Sequence, residues 1–84
     1  MNRFLSPYTI AQAIRALDSR LLAIELEETN GHCRLVYRYA VAGTVENFYT
    51  LLTGDSVHSI AALYPQAEPF EEQLCLRYGI HFHS

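Results

Sequence analysis

The sequence predicts an α+β fold, a two-layer sandwich in which helices cover one face of a mainly antiparallel sheet. Three observations predict it. Apolar residues recur at helical spacing near both ends of the chain, whereas the middle alternates apolar with polar residues, as half-buried strands do. Between two such alternating runs stands Asn30-Gly31, a dipeptide suited to the two positive φ angles of a tight hairpin turn. The expected order is helix, β-meander, helix, strand, and residues 1–84 are one domain.

Each element has its own signal. Ser6-Pro7 starts the first helix: the serine caps free backbone N–H groups, and proline fits the first turn, where its missing N–H costs nothing. Ile10, Ala13, Ile14, Leu17 and Leu21 then form one apolar stripe, so this helix is expected over Pro7–Arg20. Leu22, Ile24 and Leu26 alternate with Ala23, Glu25 and Glu27 in a first strand. After the Asn30-Gly31 turn, Cys33, Leu35, Tyr37, Tyr39 and Val41 alternate with Arg34, Val36, Arg38 and Ala40 in a second. Glu and Arg share the wet face of this hairpin, where each cross-strand pair adds only tenths of a kcal/mol.

Ala42-Gly43 signals another turn. Val45 to Thr53 is short, aromatic and bounded by glycines, so it is expected as a third strand, although Val45, Phe48, Tyr49 and Leu52 also match helical spacing. Thr53 to Ser56 reads as a loop, Ile60 to Leu63 as a brief strand or turn, and Pro65 and Pro69 bracket an irregular segment. The second helix is expected over Pro69–Tyr78, with Phe70, Leu74 and Tyr78 recurring every fourth residue. Glu71 and Glu72 sit at its positive end, and Gly79 offers the left-handed stop. A last extended segment around His81 adds to the sheet.

Composition narrows function. Half of the residues are apolar and 18% charged, against about 25% charged in an average domain, which fits a folded chain. A domain of this length buries roughly 60–65% of its unfolded surface, so its core is modest. The net charge is −3, and the basic residues Arg3, Arg15, Arg20, Arg34, Arg38 and Arg77 are spread along the chain without any Lys. Phosphate recognition wants a cluster, so nucleic acid is not an expected partner. No apolar run is long enough to span a membrane, and no signal-peptide core is visible at the N-terminus, so a cytoplasmic setting is expected. There, Cys33 and Cys75 are expected as free, half-buried thiols.

Little in the sequence suggests chemistry. His81 and His83, with Cys33 or Cys75, are scattered relative to any zinc module, so no metal is expected. No strained nucleophile turn or phosphate-cradling glycine motif is present, and the adjacent Glu71 and Glu72 point about 100° apart on a helix. No catalytic residue and no cofactor is expected. Tyr8, Tyr37, Tyr39, Tyr49, Tyr64 and Tyr78 are many for so short a chain, and tyrosine suits an interface as well as the rim of a small core.

The stretch from Tyr64 to Phe82 carries a resemblance. Tyr64-Pro65-Gln66-Ala67, then Glu71, Leu74 and Tyr78-Gly79-Ile80-His81-Phe82, is similar to the signature of the C-subunit family of respiratory complex I (NADH:quinone oxidoreductase). That family also supplies the matching component or domain of energy-converting membrane-bound nickel-iron hydrogenases of the Ech and formate hydrogenlyase types. Its pattern runs Tyr/Trp-Pro-x-Ala, then Glu-Arg-Glu-aliphatic-x-Asp-x-aromatic-Gly-Ile-x-Phe, and the Ser-Ile/Val that precedes it is matched by Ser59-Ile60. The specific part covers about twenty residues, and the order of elements before it also agrees with the family. Three charged positions differ: Glu72 stands for the family's Arg, Gln73 for its second acid and Leu76 for its Asp. The sequence ends at Ser84, before the His-Pro-x-Leu-Arg-Arg tail that follows in the family.

The resemblance implies a non-catalytic accessory subunit of a membrane-associated hydrogenase or complex I-like oxidoreductase. Such a protein docks on the large subunit, holds no cofactor of its own and sits at the inner face of the cell membrane through its complex. The residues it implies for docking are Tyr64, Pro65, Ala67, Glu71, Tyr78, Gly79 and Phe82, with Glu71 offering its carboxylate to a partner arginine or a helix cap. The alternative is a stand-alone interaction module, a homodimer joined through the exposed edge of the sheet.

Overall fold

The computed structural model describes residues 6–52 and 54–83. Arg3, counted among the scattered basic residues, and Thr53, placed at the end of the third strand, lie outside the described residues. The elements are α1 (Pro7–Arg15), β1 (Ser19–Thr29), β2 (His32–Val41), β3 (Thr44–Leu51), β4 (Ser56–His58), a 3₁₀ turn at Pro65–Ala67, α2 (Glu68–Tyr78) and β5 (His81–His83). β1, β2 and β3 form an antiparallel sheet in that order, and β4 and β5 form a separate parallel pair. The α+β class read from the sequence is the class observed.

α1 starts where expected. Ser6 is extended, and its hydroxyl accepts from the Thr9 N–H at 3.1 Å. The helix ends at Arg15, five residues early, and its inner face is Pro7, Ile10, Ala11 and Ile14 rather than a stripe running on to Leu21. Leu17 is 55% exposed. The stop has a tertiary cause. Ser19 donates its hydroxyl to the Ile14 carbonyl, and the Asp18 carbonyl accepts from the Ala42 N–H at 2.7 Å, which draws the chain into the sheet. The apolar spacing at Leu17 and Leu21 fits either period, and pairing with β2 decides it.

β1 runs opposite β2 with one irregularity between Leu21 and Ala23. Leu22 is therefore an extra residue, and Leu21 takes the inward place expected for Leu22. Leu21, Ile24, Leu35, Tyr37 and Tyr39 line the inner face, joined by Ile10, Ala11 and Ile14 of α1, Leu74 of α2, Val57 of β4, and Ile60, Tyr64, Ala67 and Ile80 between elements. Both helices thus cover one face of the sheet. Tyr39 meets Phe48 and Tyr64 edge to face, at centroid distances of 5.8 and 5.3 Å. The first hairpin turn has positive φ at both central residues, 52° and 79° at Asn30-Gly31.

On the outer face, Arg34 pairs with Glu27 and Arg38 with Glu25, at 2.8 and 2.6 Å. The Arg34 guanidinium also lies 4.1 Å above the Tyr49 ring. Val36, flanked by these side chains, is only 1% exposed although it belongs to the wet face. Long charged side chains cover apolar surface with their stems.

The C-terminal segment differs most from expectation. Ile60 to Leu63 forms a turn, one of the two forms expected, with the Tyr64 N–H donating to the Ile60 carbonyl at 2.8 Å; Pro65–Ala67, expected to be irregular, is a 3₁₀ turn that runs into α2. β5 does not join the three-stranded sheet. It pairs in parallel with β4, Ser56 opposite His81 and His58 opposite His83. A terminal strand of three residues completes a small ribbon as readily as a sheet, and only the path of α2 chooses between them.

Candidate functional site

The motif from Tyr64 to Phe82 folds as one unit of turn, helix, left-handed stop and strand. Its residues divide into two sets. Tyr64, Ala67, Glu71, Leu74 and Ile80 are buried, whereas Pro65, Tyr78 and Gly79 are exposed and Phe82 is half-buried. The buried set builds the platform. The Tyr64 hydroxyl is 2.7 Å from the Ser19 hydroxyl, which ties the start of the motif to β1. Ala67 is fully enclosed where the 3₁₀ turn meets α2.

Glu71 is 7% exposed and occupied on both oxygens. Ser59 donates its hydroxyl to one at 2.7 Å, and the buried Ile60 N–H donates to the other at 3.0 Å. Its carboxylate therefore binds the Ser59-Ile60 segment of its own chain instead of facing outward. Two good donors offset much of a carboxylate's desolvation cost, which is why a charge is tolerated here. Close by, the Tyr37 and Tyr39 hydroxyls are buried and have no partner among the described residues. Burial, the negative charge of Glu71 and the neighbouring Tyr39 hold the Tyr37 phenol well above the ordinary tyrosine value; burial, Tyr64 and Glu71 do the same for Tyr39.

The outer side of α2 is not uniformly charged. Leu76 is 76% exposed and Tyr78 51%, beside Glu72, Gln73 and Arg77. The Arg77 guanidinium lies 5.7 Å from the Tyr78 ring. A groove of about 380 Å³ runs between α2 and the edge of β1, floored by Ile24 and Leu26 and walled by Phe70, Gln73 and Arg77. On the other side of Tyr78 a second hollow of about 460 Å³ reaches Leu26, Cys33, Leu52 and Ile80. Tyr78 stands as a ridge between two apolar depressions, the kind of relief that a partner's side chains can fill.

Leu76 is not among the docking residues that the resemblance implies. A signal for it is nevertheless legible in the sequence, because an apolar residue stands where the resembled pattern has an aspartate. Cys33 and Cys75 are free and partly buried, as expected. His58 and His83 lie 5.4 Å apart between ring centroids, and His58 also meets Tyr8 at 4.4 Å. Among the described residues no group of three or more His, Cys, Asp or Glu side chains is set to hold a metal ion, and no helix is long and apolar enough to cross a membrane.

The arrangement is an exposed tyrosine with a hollow on either side, on a helix that is fastened from beneath. Among known proteins, no family model matches this chain, and no curated protein or solved structure is similar enough to count as a relative.

Proposed function

We propose that the chain is a non-catalytic accessory subunit of a hydrogenase or complex I-like oxidoreductase, and that the outer side of α2 is where it docks on the large subunit. The observation that carries this reading is the apolar relief around Tyr78, on a helix whose inner residues follow the pattern of the C-subunit family. Tyr64, Ala67 and Glu71 position the helix, and Pro65 and Gly79 shape the chain at its two ends. Tyr78 presents the contact, and Phe82 packs against the core. A tyrosine combines a large apolar area with a hydroxyl for the rim and has few rotatable bonds to immobilise, which suits it to the centre of such a contact.

The test is recovery of partners from the native host. A tagged chain should bring down an oxidoreductase or hydrogenase large subunit, identified by mass spectrometry. The variant Tyr78→Ala should lower that recovery by roughly tenfold or more. The Tyr78 side chain is half exposed, so the variant should stay folded, which a cooperative thermal transition checks. Recovery of no such protein with the parent chain would sink the reading.

A further inference from the structure

We infer that β3 is the contact through which two copies of this chain join, pairing antiparallel across a two-fold axis at Phe48 to make one six-stranded sheet. This inference stands with or without the docking role of α2, which packs over β1 at the other edge of the sheet.

The hydrogen-bonding pattern shows which groups β3 turns away from β2. Leu52 donates its N–H to the Cys33 carbonyl at 2.9 Å. In an antiparallel ladder every second pair exchanges bonds, so Thr50, Phe48, Glu46 and Thr44 turn their N–H and C=O toward β2. Val45, Asn47, Tyr49 and Leu51 turn theirs outward, away from the sheet. The side chains of those same residues lie on the outer face, where Val45 is 61%, Leu51 40% and Tyr49 37% exposed.

The two edges of the sheet differ in how they are guarded. β1 has the irregularity at Leu22, carries Arg20, Glu25, Glu27 and Glu28, and has α2 packed over it. Those are the devices that keep an edge from pairing. β3 has a regular register, no proline and one charged residue, Glu46.

Self-pairing also satisfies register. Only alignments that set outward-facing residues against one another can form the ladder, and the two-fold at Phe48 is the one that uses all of them. Val45 then faces Leu51 of the second copy, Asn47 faces Tyr49, and Phe48 faces itself. Glu46 falls opposite Thr50, whose hydroxyl is buried without a partner among the described residues. Moving the axis to Asn47 sets Glu46 against Phe48 and leaves Leu51 opposite Gly43; moving it to Tyr49 sets Glu46 against Leu52. Both alternatives place the only charge of the strand on an apolar neighbour, so the Phe48 axis is favoured.

Sedimentation of the full chain from micromolar to near-millimolar concentration should show a reversible monomer–dimer equilibrium. Hydrogen exchange should slow at the amides of Val45, Asn47, Tyr49 and Leu51 as the dimer forms, and not at a matching set on β1. Asn47→Pro removes one outward N–H that β2 does not use, and should weaken dimerisation by roughly tenfold or more while the fold persists. Should that variant fail to fold, the exchange pattern of the parent chain decides alone. A chain that stays monomeric throughout, a dimer whose four β3 amides exchange as fast as in the monomer, or a folded Asn47→Pro that dimerises as tightly as the parent would each overturn the inference.

Discussion

Glu71 is the residue on which the C-terminal half turns. It links α2 to the Ser59-Ile60 segment through two donors, one of them a buried backbone N–H. Replacing it with Ala leaves that N–H unsatisfied, and the expected loss is about 1–3 kcal/mol in urea denaturation. The two buried phenols near it behave in the opposite way. The Tyr37 and Tyr39 hydroxyls have no partner among the described residues, so Tyr37→Phe should be neutral or stabilising. They also set the alkaline limit. An unfolded tyrosine ionises near pH 10, whereas both phenols stay protonated well above that in the fold. The unfolded state therefore loses protons first, so the contribution of these phenols is flat below about pH 10 and stability falls as pH rises past it. Urea midpoints measured from about pH 8 to about pH 11 should show this fall, and the Tyr37→Phe, Tyr39→Phe double variant should flatten it.

Among the elements, two turns carry the strain and the stops. Gly79 ends α2 in the left-handed region, at φ 72°, with its N–H donating to the Cys75 carbonyl at 2.9 Å. A Cβ there would meet no atom but would be held in a disfavoured conformation, so Gly79→Ala should cost about 1 kcal/mol. Ala42 poses the reverse case. It opens the β2–β3 turn at φ 51°, a value that alanine adopts at a cost. Ala42→Gly should stabilise the chain by about 0.5–1 kcal/mol, seen as a higher urea midpoint with unchanged slope. The early end of α1 is also settled between elements: its last expected turn gives way to the pairing of Ser19 to Leu21 with β2.

The folded chain is a slab, 33 × 30 × 19 Å. The short dimension matches one sheet and one helical layer, each about 10 Å deep. A slab this thin has two kinds of free surface, the outer side of its helices and the edges of its sheet. α2 lies over β1, while β3 is the opposite edge. The two proposed contacts should therefore be separable. Tyr78→Ala should lower recovery of a large subunit and leave the sedimentation profile unchanged; Asn47→Pro should do the converse. If either variant moved both readouts equally, the two surfaces would not be independent.

The α+β class, the meander, the N-terminal cap at Ser6, the turn at Asn30-Gly31 and the stop at Gly79 are all legible in the residues alone. These are local matters, in which period, turn chemistry and capping residues act over a few neighbours. The Glu–Arg pairing of the outer face is legible in the same way. Other features needed the folded chain: where α1 gives way to β1, that Leu21 and not Leu22 points inward, and that β5 joins β4 instead of the main sheet. So did the inward turn of the Glu71 carboxylate and the outward turn of Leu76 and Tyr78. One reason covers them all. Each choice depends on a partner distant in the chain, and the same short apolar pattern satisfies more than one local conformation until that partner is in place.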